Sequence, residues 1–254
     1  MKKHIASILF LFLLSTFQLI AQSHSVKRLG IEQGLSNNYV VSITQDKQGF
    51  LWFATEEGLN KFDGTRFTTY YKNDLTQDNQ GITGNELNRV YADTKHPIIW
   101  IATQRDGLNA YNYNEQTFTA YQHNPENPHS LITNDVTDIA PSTQHDDGLW
   151  ISTYYRGIEY LDITSGQFTH YNKSTVPSLP CDQTWTVLDG GDGNLYIGHV
   201  GSGFSIFSPK DKSVKNFRNE AGNPMSLPGN DVFCIIKDAN GNIWLGTNNG
   251  LALY

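Results

Sequence analysis

The sequence predicts an all-β chain built as a β-propeller, with about five blades of four antiparallel strands each. Three observations predict it. One phrase recurs five times: LWFATEEGLNKFD from Leu51, IWIATQRDGLNAYN from Ile99, LWISTYYRGIEYLD from Leu149, LYIGHVGSGFSIFS from Leu195 and IWLGTNNGLALY from Ile243. Its second-position aromatics, Trp52, Trp100, Trp150, Tyr196 and Trp244, are 48, 50, 46 and 48 residues apart. Self-similarity at such a period marks a solenoid, propeller or array. Each copy follows an alternating apolar run and a tight turn, and no stretch after residue 21 has helical periodicity, so the repeat unit is β.

Residues 1–21 have the layout of a secretory signal, with Lys2 and Lys3, an apolar stretch from Ile5 to Ile20, and a cut expected between Ala21 and Gln22. The apolar run is short and broken by Ser7, Ser15, Thr16 and Gln18, so it does not read as a membrane span. No later segment does either. Loss of Lys2 and Lys3 moves the formal charge from −7 to −9. An acidic surface argues against nucleic acid or anionic membrane as partner.

Residues 22–254 carry the repeats. The blades fall at about 34–71, 82–122, 131–172, 179–218 and 227–254, the last without an outer strand. Within a blade the first strand is an alternating run such as Tyr39–Thr44 or Val232–Ile236, rich in β-branched and aromatic residues. An Asp/Gly turn follows, as in Asp46–Gly49 and Asp238–Gly241. The aromatic strand comes next, then a Gly turn and a third strand such as Leu59–Phe62. An outer strand such as Arg66–Tyr70 closes the unit. Val26–Leu29 stands before GLSNN as Phe67–Tyr70 stands before the next loop, and reads as a closing strand for the last blade. The arithmetic leaves two arrangements open: a self-closed five-bladed ring, or part of a larger ring.

Two places after each aromatic stands a small residue: Ala54, Ala102, Ser152, Gly198 and Gly246. Both point to the same side of the strand, because side chains alternate with a period of two. A large ring beside a small side chain lets adjacent sheets approach. Trp52, Trp100, Trp150, Tyr196 and Trp244 are therefore read as structural anchors between blades.

Loops carry function on such a scaffold. Those joining outer strand to next inner strand share one face with the turns between second and third strands. The second set is the more varied, and it supplies the candidate ligand-binding residues Arg105, Tyr154, Tyr155, Arg156, His199 and Asn248. Tyr faces and Arg donors near a central mouth suit sugars or uronates. Trp185, outside the repeated position, reads as core. Asn38, Asn85, Asn134 and Asn230 read as turn-backbone partners. Cys181 and Cys234 could pair in an oxidising compartment, and two buried free thiols are the preferred reading. The eight His are scattered, with no metal spacing, and Glu56-Glu57 and Asp146-Asp147 are turn or strand neighbours that diverge. Nucleophile-elbow, P-loop and C-x-x-C motifs are missing from the sequence, so no catalytic residue, metal site or cofactor is assigned.

The stretch Gly34–Tyr70, GLSNNYVVSITQDKQGFLWFATEEGLNKFDGTRFTTY, resembles the first blade of the two-component regulator propeller family. The pattern G-L-S, D-x-x-G, [LI]-W-x-x-T and G-L recurs, and blade four departs from it at Tyr196 and His199. The resemblance covers residues 26–254. It implies the N-terminal portion of a periplasmic sensor that forms the outer half of a hybrid two-component system. It further implies an oligosaccharide ligand, histidine kinase domains downstream in cis or in trans, and rings of seven blades, which favours the larger ring. The competing readings are a scaffold or gene remnant without signalling, and a propeller lyase of the streptogramin-cleaving kind. The lyase would need a His and acid cluster at the mouth, where His199 stands alone.

Overall fold

A computed structural model describes residues 26–73 and 81–254. The expected signal at 1–21 and its cleavage point lie outside the described residues. The described chain is all-β apart from a 3-10 turn at Ile31–Gln33. Blade one is β1 (Val40–Gln45), β2 (Leu51–Thr55), β3 (Gly58–Phe62) and β4 (Phe67–Tyr70). Blade two is β5 (Leu87–Ala92), β6 (Ile98–Thr103), β7 (Leu108–Asn112) and β8 (Thr117–Tyr121). Blade three is β9 (Val136–Pro141), β10 (Gly148–Thr153), β11 (Gly157–Asp162) and β12 (Gln167–Tyr171). Blade four is β13 (Thr184–Asp189), β14 (Leu195–His199), β15 (Phe204–Phe207) and β16 (Val214–Phe217). Blade five is β17 (Val232–Lys237), β18 (Ile243–Thr247) and β19 (Gly250–Leu253). Within every blade each strand pairs antiparallel with the next, and the inner strands β1, β5, β9, β13 and β17 pack side by side in chain order. This is a β-propeller.

Four hydrophobic clusters lie between successive blades, one for each neighbouring pair. Trp52 and Ala54 of blade one meet Val90, Ile99 and Tyr111 of blade two. Trp100 and Ala102 repeat the contact on blade three, and Trp150 and Tyr196 on blades four and five. The small residue matters because the backbones come close. A Cβ on Gly198 would stand 2.6 Å from the Val232 carbonyl oxygen of the next blade, inside any tolerable contact.

The far ends of the anchors are pinned on the face carrying the turns between first and second strands. The Trp52 indole N–H donates to Asp46 Oδ2 (2.8 Å), Trp100 to Asp93 Oδ2 (3.2 Å) and Trp244 to Asp238 Oδ2 (3.0 Å). The other oxygen of each aspartate accepts turn N–H groups, those of Gln48 and Phe50 in blade one and of Lys95 and His96 in blade two. One side chain thus shapes the turn and fixes the ring. In blade four the Tyr196 hydroxyl donates to Asp192 Oδ2 at 3.2 Å. Blade three has Ser142 instead. Its Oγ accepts from the Gln144 and His145 N–H groups, each at 3.3 Å, and Trp150 Nε1 is left buried without a partner.

Among the described residues, no hydrophobic cluster joins blade five to blade one. Tyr39 and Ile43 of blade one are exposed, as are Ile236, Leu251 and Leu253 of blade five. Val26–Leu29 forms no strand, Val26 is 96 % exposed, and blade five keeps three strands. The closing strand expected at Val26–Leu29 is not formed. Among the described residues the five blades make four clustered interfaces, and the N-terminal segment enters beside blade one, where Asn38 Oδ1 accepts the Ile31 N–H at 3.1 Å.

Replacing Ser142 with Asp should supply the missing acceptor for the Trp150 indole while keeping both turn bonds. The expected gain is about 1 kcal/mol in denaturant unfolding; an unchanged or lower midpoint would contradict the pinning account.

Candidate ligand-binding mouth

The opposite face is built by repetition too. Each Gly that opens a third strand donates its N–H to the junction loop of the next blade. Gly58 bonds the Asn85 carbonyl, Gly107 that of Asn134, Gly157 that of Asp182 and Gly203 that of Asn230. The same four junction side chains accept the N–H of a residue just past the outer strand: Lys72, His123, Lys173 and Asn219. Asn85, Asn134 and Asn230 thus bond loop backbone, as their position in the sequence suggests.

A second latch uses the third strand. Buried Asn60 accepts the Ser36 N–H, and buried Asn109 accepts the Thr83 N–H. In blade three the equivalent residue is Glu159, fully buried, whose oxygens accept the Ile132 N–H at 3.1 and 3.2 Å. His170 Nδ1 lies 2.9 Å from Glu159 Oε2, and its Nε2 lies 3.0 Å from the Pro128 carbonyl, to which it must donate. Burial pushes the Glu159 carboxyl up, against the lowering pull of His170. The Glu159 hydrogen bond pushes the His170 imidazole up, against burial. Both partners thus bind protons more tightly than when free, and the pair straps the 124–132 loop to blade three.

Each inner strand carries a one-residue register shift at its mouth end, between Val40 and Ser42, Leu87 and Arg89, Thr184 and Thr186, and Val232 and Cys234, with the same irregularity opposite Thr153 in blade three. Bulges re-aim side chains. The extra residues in blades four and five are Trp185 and Phe233. Their rings meet edge-on at 5.6 Å, Trp185 meets Tyr154 at 5.9 Å, and Tyr154 meets Tyr155 at 4.1 Å. Tyr155 and Phe233 are exposed and Trp185 is half-buried. Trp185 is thus a mouth residue rather than core. The signal that could have found it was a Trp breaking the apolar alternation at the same register in which blade five has Phe233.

Around this aromatic line stand Arg105 and Arg156, both exposed, and half-buried Asp135. Burial pushes the Asp135 carboxyl up, while the Arg105 charge pulls it down. Contact with the Tyr154 hydroxyl, then burial, raises the Tyr155 phenol. Deeper on the axis, Arg89 Nε lies 3.1 Å from Asp138 Oδ1, whose other oxygen accepts the Thr186 hydroxyl at 2.6 Å. Asn248 sits apart on blade five and accepts the Asp231 N–H at 3.3 Å.

His199 does not reach the mouth. It is fully buried, its Nε2 lies 2.8 Å from Ser205 Oγ, and burial lowers it to about 4, so it is neutral at ordinary pH. Cys181 Sγ lies 3.6 Å from its Nδ1. Both cysteines are free, but Cys181 is half-buried and Cys234 exposed, not buried as the composition suggests. Among the described residues no group of three or more His, Cys, Asp or Glu is placed to hold a metal, and no helix is long and apolar enough to cross a membrane.

Residues 34–57 and 226–249 match the two component regulator propeller family. The chain is 69 % identical to the extracellular domain of the hybrid two component system BT3049 from B. thetaiotaomicron, over 90 % of this chain and 30 % of that one, with a TM-score of 0.84. Two of the repeats of this chain thus carry the two component regulator propeller signature. A second extracellular domain from that organism, BT4673, shares the β-propeller fold at 21 % identity, over 91 % of this chain and 32 % of that one, with a TM-score of 0.72. A 66-residue stretch is 42 % identical to Histidine kinase P4 of Formosa agariphila, covering 26 % of this chain and 5 % of that protein. The chain therefore spans about a third or less of the length of these three relatives.

The blade-three latch sets a pH dependence. Glu159 and His170 both have folded-state values above their unfolded ones, so the folded propeller holds more protons. The His170 contribution is fully present below pH 6.5 and is lost as pH rises through its raised value. The raised Glu159 value adds a loss in the same direction. Glu159→Gln, which keeps an acceptor for the Ile132 N–H as the Asn residues do elsewhere, should flatten the fall of the melting temperature as pH rises above 6.5. An equal fall in both proteins would contradict the latch.

Proposed function

We propose that this chain is a periplasmic ligand-sensing propeller of a two-component system, and that an oligosaccharide seats on its mouth. One observation carries the reading: Tyr155, Tyr154, Trp185 and Phe233 form a continuous aromatic line on the loop face. Flat apolar faces stack on the C–H faces of sugar rings, and neighbouring planar donors orient hydroxyls or carboxylates. Arg105, Arg156 and Asp135 supply the polar groups, with Asn248 on the blade-five rim. Kinship with extracellular domains of hybrid two-component systems supports an extracytoplasmic location and histidine kinase domains, in cis or in trans, as the recipient of the signal. Bound sugar moves such a system only as far as it binds two conformations unequally.

The test is isothermal titration of the full chain with plant and host oligosaccharides. Trp185→Ala and Tyr155→Ala should each weaken a binding sugar by about 10-fold or more, since a lost stacking contact costs roughly 1–2 kcal/mol. Asn60→Ala, remote from the aromatic line, should alter stability and not affinity. Affinity unchanged in both aromatic variants, or no binding of any oligosaccharide by folded protein, would refute the reading.

A further inference from the structure

On the face opposite the mouth, the turn ends of blades three and four enclose a cavity of about 490 Å³. Ser142, His145, Trp150, Asp189, Leu195 and Lys210 are among its walls. Trp150 is 6 % exposed and its indole N–H has no partner. In blades one, two and five the indole at this register donates to a carboxylate oxygen of the turn, at 2.8, 3.2 and 3.0 Å. The residue at that turn position in blade three is Ser142, which also lines the cavity. Ser142 reproduces one of the two aspartate oxygens, the one that accepts turn N–H groups. The second oxygen is missing, and both Ser142 and Trp150 stand in the cavity wall.

The nearby aspartates do not substitute for it. Asp189 is engaged by the Thr143 N–H, the Thr143 hydroxyl and the Gly191 N–H. Asp192 is engaged by the Asn194 N–H and side-chain amide and by the Tyr196 hydroxyl. Lys210, on the β15–β16 turn, forms no ion pair among the described residues. A buried donor without an acceptor is expensive, and a cation without a counter-ion lies beside the same cavity.

We propose that this cavity is a binding site for a small carboxylate, one of whose oxygens takes the Trp150 indole N–H in place of the aspartate that blade three lacks, with Lys210 balancing its charge. The ligand class is a simple organic acid or a sugar acid, which share the carboxylate. The site lies on the far face from the aromatic mouth and stands independently of the sugar reading.

The probe is the set of five indole N–H signals in a nitrogen-15 spectrum of the full chain, with Trp150→Phe identifying the Trp150 signal. Sodium acetate and sodium glucuronate are titrated against sodium chloride at matched ionic strength, with acetamide as the uncharged isostere. The Trp150 signal should move saturably with acetate, with glucuronate, or with both; which acid binds more tightly tells the organic acid from the sugar acid. Ser142→Asp, carrying its own second oxygen, should abolish the movement. Lys210→Ala, on an exposed turn, should weaken binding roughly 10-fold. A Trp150 signal that ignores both acids, that responds equally to acetamide, or that still moves in a folded Ser142→Asp protein would overturn the proposal.

Discussion

Everything in this molecule depends on one contact made four times: an aromatic ring beside a small residue on a second strand, pressed into the sheet of the next blade. Trp52, Trp100, Trp150 and Tyr196 are all at most 9 % exposed, and each buries a large apolar surface that a lone four-stranded sheet could not hide. Because the contact joins neighbours only, the fold is a chain of interfaces rather than one core. Blades one and five each have a single covered face, which is why the exposed apolar side chains gather there.

Two sets of hydrogen bonds turn those wedges into a fixed geometry. Aspartates on one face clamp turn and ring together. On the other face, junction Asn and Asp side chains and third-strand Asn or Glu residues hold the loops. The loops are then free to vary in chemistry without losing position. Specialised features arise where a repeated position is occupied by something else. Glu for Asn makes a titratable latch in blade three, Ser for Asp leaves an orphan donor, and Trp185 and Phe233 turn bulges into an aromatic surface at the mouth.

Much of the architecture was legible because repetition amplifies weak signals. The Trp-to-Trp interval, the Asp/Gly turns and the small residue beside each ring located blades, strands and anchors. The arrangement of the ends was not legible: Val26–Leu29 has strand-like sequence, but pairing needs an edge within reach, and the open edge belongs to β19 on the last blade. His199 looked like a loop residue because its blade departs from the pattern, yet the strand runs through it and turns it inward. Trp185 looked like core because the one-residue shift that re-aims it is a property of pairing, which one strand alone does not reveal.

The most direct measurement of the central claim is native-state hydrogen exchange resolved by strand on the 254-residue chain. If stability resides in nearest-neighbour wedges, the second strands of blades two, three and four, flanked on both faces, exchange most slowly, and protection falls toward β1–β4 and toward β17–β19. Equal protection in all five blades, or a blade five as protected as blade three, would contradict it.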